Sequence, residues 1–376
     1  MISLDYNASA PLWPEVREKL TVALAEAPAN PSSVHAGGRA ARVRLDKARD
    51  TIAGLLGCAP RQVVFAASGS EAAATAVLGA YAARSDPSRK GVVVSAIEHP
   101  CVLLAADRLE KEGAKVTRVR PGANGRVAAA DVEKALEGAA VCSLMWVNNE
   151  TGVVQPVAEV AAACRARGVP FHTDAVQALG RLAVTLRDCP ADFLSFSGHK
   201  LGAPPGIGAL ILNGDQSMEP LVPGHQEGGR RGGTPNVGLC EALALALSLS
   251  RQHAEAEEQR LDALRATFEG QLRARVPNVF INGGEATRAP GTSNVRFEGA
   301  DGEALLIGLD LEGIAVASGA ACASGSMKPS HVLTAMGLSA AQAQASLRFS
   351  YGRGNVEADL VRAVEALQRL VPKNRA

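Results

Sequence analysis

The sequence predicts an α/β protein: a large domain on a mainly parallel sheet flanked by helices, followed by a smaller α+β domain. Up to about residue 236, short runs rich in Val and Ile alternate with Ala-rich stretches. The runs are continuously apolar, as suits strands buried on both faces. After Asn236 this alternation stops, and one Ala/Leu/Glu/Arg stretch reads as a single long helix to about residue 275.

Strands are expected at 62–66 (QVVFA), 91–95 (GVVVS), 115–119 (KVTRV), 140–147 (AVCSLMWV), 169–173 (VPFHT), 192–196 (DFLSF) and 208–212 (GALIL). Helices are expected between several of them, at 70–83, 101–112, 130–137 and 156–167. Such alternation argues for a parallel sheet with right-handed crossovers. Beyond the long helix come short strands near 278–281, 292–297 and 346–350, with helices near 301–311 and 356–370. The boundary is expected inside the long helix. Residues 13–250 then form the large domain, and residues 1–12 with 251–376 the small one. Glycine is frequent, at 38 residues, but dispersed, without a repeat or a low-complexity linker.

A chain of 376 residues suggests about two domains. Its 47% apolar and 20% charged residues are an ordinary globular balance. With 39 basic against 38 acidic residues the net charge is +1, which is no nucleic-acid footprint. Arg39, Arg42 and Arg44 interleave with apolar residues, as on a solvated helix face. The opening MISLDYNASAP lacks a basic segment before an apolar core, and no apolar run approaches membrane length. Neither a signal peptide nor a membrane span is expected. The seven cysteines are scattered and show no metal-ligand spacing, so no metal is expected and a reducing cytoplasm fits. Cys58, Cys142, Cys164, Cys189 and Cys240 stand in apolar segments and are expected to be small buried hydrophobes.

Six elements carry chemistry. Ser197-Gly198-His199-Lys200 follows a strand directly, where open α/β sheets place ligands. A lysine there can form a Schiff base with an aldehyde cofactor, or be an ordinary loop lysine. Asp174 ends the strand VPFHT, with Gln177 three residues on. A buried acid there suits a pyridinium nitrogen, and equally a helix N-cap. Gly69-Ser70-Glu71 opens a helix and offers N–H groups and a hydroxyl to an anion, or a plain cap. It lacks the nucleotide P-loop form. His99, in Glu98-His99-Pro100, can stack on a flat cofactor and relay protons, or lie on a surface loop. Cys322 lies among small residues in ASGAACASGSMKPS, an accessible setting for a thiol that still needs activation. Arg348, in SLRFSYGR, suits bidentate carboxylate binding or a surface strand charge.

The chain resembles the cysteine desulfurases, class V enzymes of fold type I that depend on pyridoxal 5'-phosphate (PLP). The resemblance runs nearly end to end. It includes LDYNASAP, NPSSVHAGG at 30–38, VNNETGVVQP at 147–156, HTDAVQALG at 172–180, SFSGHK at 195–200 and RRGGTPN at 230–236. It closes with ASGAACASGSMKPSHVL at 317–333 and LRFSYGR at 347–353. No one motif decides; their order and spacing together are specific.

The resemblance implies roles residue by residue. Lys200 is the Schiff-base lysine, Asp174 pairs with the pyridinium nitrogen, and Gln177 contacts the ring's phenolic oxygen. His99 stacks on the ring and transfers protons. Ser70, Ser197 and His199 hold the phosphate, and Thr234 reaches the phosphate in the partner subunit of a homodimer. Asn149 and Arg348 orient the substrate L-cysteine, Arg348 by its carboxylate. Cys322 takes the sulfur as a persulfide for iron–sulfur clusters or other sulfur-containing cofactors, with an acceptor or scaffold protein as a further partner.

The departures are Ser70 where the family usually has Thr, Ala73 and Ala74 where it often has Asn, and Gly228 where Arg is usual. The chain also ends at Ala376, without the longer tail by which some relatives dock a scaffold. The rival readings are a selenocysteine lyase, a class V aminotransferase, or a non-catalytic sulfur-relay protein.

Overall fold

The structure, a computed structural model, describes residues 1–26, 29–318 and 328–374. Strand β1 (Ile2–Ser3) is followed by helix α1 (Pro14–Ala25), whose first position is a proline. The first turn has no use for the missing N–H. Helix α2 (Ala36–Leu56) is capped by His35 and stopped by Gly57 at φ 72. Its Ala41, Leu45, Ala48 and Ile52 form one buried stripe.

Next come β2 (Val63–Ala66), α3 (Gly69–Ala82), β3 (Gly91–Ser95), α4 (Pro100–Lys111) and β4 (Lys115–Val119). They are followed by α5 (Ala129–Ala135), β5 (Ala139–Ser143), α6 (Val157–Ala166), β6 (Phe171–Asp174), β7 (Phe193–Ser197) and β8 (Gly208–Leu212). Helix α7 (Val237–Arg275) leads to β9 (Val279–Ile281), β10 (Thr292–Phe297), α8 (Gly302–Leu311) and β11 (Ile314–Ala315). The chain closes with α9 (His331–Ala335), α10 (Ala340–Gln344), β12 (Ser346–Ser350) and α11 (Glu357–Leu370).

Seven strands form one sheet in the order β2-β8-β7-β6-β5-β3-β4. All are parallel except β8, which runs against both neighbours. The strands read as continuous apolar runs because alternate residues serve two cores. Val63, Phe65 and Val93 join a cluster with α2, α6 and the first half of α7. Val64, Ala66, Val92 and Val94 join another under α3 and α4. A third cluster gathers Leu261, Leu264, Phe268 and Leu272 from the second half of α7. It packs them on the antiparallel sheet β12-β10-β9, with α8 and α11.

Two expectations need correction. The strand expected at 140–147 leaves the ladder after Ser143. Leu144 to Val147 remain buried, and Leu144 N and Trp146 N still donate to the His172 and Asp174 carbonyls of β6, while Met145 and Val147 line a cavity. Helices α1, α2, α9 and α10 and strands β1 and β11 were not expected as elements. Helix α1 buries only Val16 and so shows no apolar stripe, and the other helices apart from α2 are five residues long.

Candidate active site

The C-terminal ends of β2, β3, β6 and β7 open onto a cavity of about 740 Å³, closed on its other side by residues near β1 and β12. A crevice at the carboxyl ends of parallel strands is the usual ligand position in an open α/β sheet. Nine of the residues singled out in the sequence line it: Ser70, His99, Asn149, Asp174, Gln177, Ser197, His199, Lys200 and Arg348.

Lys200 lies in the single turn after β7. Its Nζ donates to the carbonyls of Asn7 and Ala8, both at 2.6 Å. Burial, with the Arg348 charge nearby, pushes its amine down to about 8. Asp174 is 5% exposed and ends β6. Its Oδ1 accepts from Val176 N at 2.8 Å, and among the described residues no cation lies in ion-pair contact with it. Burial pushes its carboxyl up to about 6. An acid buried without a cation is costly, and a positively charged ligand atom beside it would relieve that cost.

Helix α3 begins at the cavity. Ser68 caps it by accepting from Glu71 N at 3.0 Å, leaving the N–H groups of Gly69 and Ser70 without intrahelical acceptors. Glu71 accepts from Ala67 N and pairs with Arg231, so the helix start is clamped from both sides. Ser197 Oγ lies 2.9 Å from His199 Nδ1, and burial pushes that imidazole down to about 4. Two hydroxyls, a neutral imidazole and a helix N-terminus therefore face one corner, a setting for an anion.

His99 caps α4. Its Nδ1 accepts from Cys101 N at 3.2 Å and meets Cys101 Sγ at 3.0 Å, so hydrogen bonding assigns the ring proton to Nε2. Burial, reinforced by Lys200 and His331, pushes the imidazole down to about 4. Behind it, fully buried Glu98 accepts from Ser95 Oγ and Met145 N, and burial pushes its carboxyl up to about 8.

Arg348, on β12, donates through NH2 to Asp5 at 2.6 Å and through NH1 to the Asn149 carbonyl at 3.1 Å. Among the described residues its buried Nε has no hydrogen-bond partner. Asn149 is presented by an Asn turn, in which Asn148 Oδ1 accepts from Glu150 N and Thr151 N. Asn7 ties the corner together. It donates to the Asn149 carbonyl at 2.9 Å, and its own carbonyl accepts from Gln177 at 3.0 Å. Arg181, half-buried, donates to Asn7 Oδ1 and the Pro290 carbonyl.

Thr234 is exposed and does not line this cavity. Cys322 lies outside the described residues. Sequence reasoning missed Asp5, Asn7, Cys101, Arg181 and His331. Asp5 and Asn7 stand in LDYNASAP, a motif that signalled the region without saying which side chain serves. The five cysteines expected in the interior are buried, except Cys58, which is half-buried.

Fold and site together are those of the class-V aminotransferase family, whose profile matches residues 2–362. The chain is 40% identical to a cysteine desulfurase of Gluconacetobacter diazotrophicus over all of this chain and 94% of that one. It is also 40% identical to an IscS-like cysteine desulfurase of Mycobacterium tuberculosis, over all of this chain and 97% of the relative. Among solved structures, a NifS-like protein superposes with TM-score 0.92 at 27% identity, covering 99% of both chains. SspA in complex with cysteine superposes at 0.82 with 32% identity, over 94% of this chain and 99% of that one. The chain belongs to the cysteine desulfurase family.

Proposed function

We propose that the protein converts L-cysteine to L-alanine and moves the sulfur to its own Cys322. One juxtaposition carries this reading. The amine of Lys200, the unpaired acid Asp174, the neutral imidazole of His99 and the guanidinium of Arg348 share the wall of one cavity. A family member has been solved with cysteine bound, which supports the choice of substrate.

Class-V enzymes of this kind generally depend on PLP. The residues present fit that group: a buried acid without a cation partner suits a protonated ring nitrogen, and the α3 start with Ser70, Ser197 and His199 suits a phosphate. Lys200 would hold its aldehyde carbon and Gln177 would face its phenolic oxygen. Bound there, PLP supplies an electron sink for the charge left when a substrate Cα loses its proton.

This chain's residues do the rest. Arg348 binds the substrate carboxylate, with Asn149 alongside, which orients Cα. Lys200, whose amine is largely neutral at mildly alkaline pH, accepts and returns a proton at Cα. His99 donates a hydrogen bond through Nε2–H and stays uncharged, since protonation at its buried site is disfavoured. The Cys322 thiolate attacks the substrate sulfur, the C–S bond breaks, and the remaining three-carbon fragment gains a proton and leaves as alanine. Thiol sulfur is thereby transferred as a persulfide with no outside oxidant.

The same proposal includes a homodimer, in which Thr234 serves the partner's phosphate corner. It includes a large domain at 13–250 and a small domain from 1–12 and 251–376. It also includes an acceptor protein that draws sulfur from Cys322 for iron–sulfur clusters or related cofactors. Among the described residues no helix is long and apolar enough to cross a membrane. A cytoplasmic setting completes the proposal.

Purified protein given L-cysteine should release alanine, with sulfide appearing when a reductant is present. Brief exposure without reductant should add one sulfur to the peptide holding Cys322. Cys322→Ser should keep cofactor binding and lose nearly all sulfide release, because a hydroxyl is a far poorer nucleophile towards sulfur. Full alanine production by Cys322→Ser would overturn the persulfide route.

A further inference from the structure

The arginine placed to receive the substrate carboxylate is already paired. Arg348 is nearly buried, with its side chain 8% exposed, and it gives one NH2 hydrogen to Asp5 Oδ1. Asp5 is not a surface acid that happens to reach inward. Its carboxylate lines the catalytic cavity. The backbone on either side is pinned to β12, since Ser350 N donates to the Leu4 carbonyl at 2.7 Å and Tyr6 N to the Ser350 carbonyl at 3.0 Å. Swinging Asp5 away would break that pairing.

The charges around this corner are few. Lys200 and Arg181 each lie close enough to Arg348 for mutual repulsion, and Lys328 is a further cation on the cavity wall. Asp174 stands on the Lys200 side. Glu150 is buried and bound to Ser330; burial pushes its carboxyl up to about 7, and the Arg348 charge opposes that shift. Asp5 is thus the acid in direct contact with the anion-binding guanidinium. A ligand carboxylate meets a guanidinium whose charge is already shared.

We propose that Asp5 is a specificity-determining residue: by taking one donor of Arg348, it lets the cavity accept an amino acid with one carboxylate and reject one with a second acidic group. This rests on the cysteine desulfurase reading of the site. L-cysteine, whose side chain is a neutral thiol, places a single negative charge beside Arg348. L-aspartate has a backbone of the same kind but adds a second negative charge, which meets the Asp5 carboxylate where it stands against Arg348. Two like charges several ångströms apart in a partly buried site repel enough to weaken binding roughly tenfold to a hundredfold.

The test uses the PLP-loaded protein and two ligands, L-alanine with one carboxylate and L-aspartate with two, titrated by calorimetry. The wild type should bind L-aspartate at least about tenfold more weakly than L-alanine. Asp5→Asn keeps a hydrogen-bond acceptor and removes the charge. It should bring the two affinities to within about threefold, mainly by gain for L-aspartate. Asp5→Glu should restore the discrimination. Asp5→Ser is the second neutral variant should Asp5→Asn fail to fold. If Asp5 merely anchored the chain, the neutral variants would weaken both ligands alike and leave the ratio unchanged. That result overturns the proposal, as does a wild type that binds both ligands equally. Alanine production from L-cysteine is measured on the same wild-type sample. Its absence defeats the desulfurase reading, whereas its presence with an unchanged ratio defeats the role of Asp5 alone.

Discussion

Gly69 sits where the start of α3, the segment after β6 and the end of β7 converge. A Cβ added there would stand 2.9 Å from Val176 Cγ2 and 3.0 Å from Ser197 Cβ, well inside ordinary carbon contact. The Val176 methyl can turn aside. Ser197 cannot, because it ends a strand whose five residues are all buried. Relief comes when the first turn of α3 slides outward by about half an ångström. Overpacking of this kind costs roughly 1–3 kcal/mol, offset by up to about 1 kcal/mol of helix propensity gained over glycine. The slide also separates the free N–H groups of α3 from Ser197 and His199. Losing one hydrogen bond to a charged group, at about 1.5–3 kcal/mol, weakens PLP binding roughly tenfold to a hundredfold. Gly69→Ala should therefore lower the melting temperature of the cofactor-free protein by a few degrees and shift a PLP absorbance titration by at least about tenfold. Gly54 is the internal control. It lies in α2 with nothing within 4 Å of its would-be Cβ. Gly54→Ala should raise stability by about 0.5–1 kcal/mol and leave PLP binding alone. If Gly69→Ala behaves like Gly54→Ala in both assays, the tight seating of α3 against β7 is wrong.

Two further outcomes follow. Lys200 is held down to about 8, against 10.5 for an ordinary lysine, so its neutral form grows as pH rises through about 8. Labelling of the cofactor-free protein by an amine-reactive reagent, read by peptide mass spectrometry, should be half-complete there, and a midpoint near the ordinary value refutes it. Between those two pH values the unfolded chain binds more protons at this lysine than the folded one, so its contribution to stability rises with pH across that window. Mixing Lys200→Ala with Thr234→Ala protomers should restore one site in each mixed dimer, the one built from an intact lysine and an intact threonine. If verified subunit exchange never restores activity, Thr234 does not serve across the interface.

The sequence made β10 and β12 legible to the residue, 292–297 and 346–350: in TSNVRF and SLRFS the apolar residues stand at alternate positions, the period of a strand. Lys200, Asp174 and His99 were legible because each stands within a few residues of a strand end, where the fold places ligands. The run 140–147 outlasts the regular strand, which ends at Ser143, because Leu144 and Trp146 keep bonding to β6 up to the turn at Asn148. Asp5 and Arg181 were not legible for a different reason. Their significance lies in contacts with Arg348 and Asn7, formed across 343 and 174 residues of chain, and local pattern holds no record of them. Cys101 was one thiol among seven until the fold set it 3.0 Å from His99.

The segment from Leu4 to Ala8 has a consequence for how the molecule is made. It completes the catalytic corner, yet its hydrogen-bonding partners on β12 leave the ribosome 343 residues later. At about 5–20 residues per second, that is a wait of roughly 20 s to a minute. The large sheet can form in the meantime, with Lys200, Gln177 and Arg181 able to hold Asn7 and Ala8, while Leu4 and Tyr6 still lack Ser350. Arg348 and the N-terminal segment then join in one late step, of the long-range kind that is slow to form. The cavity is thus finished only when the end of the chain meets its beginning, so a nascent chain carries Lys200 at the end of β7 before Arg348 and Asp5 are paired.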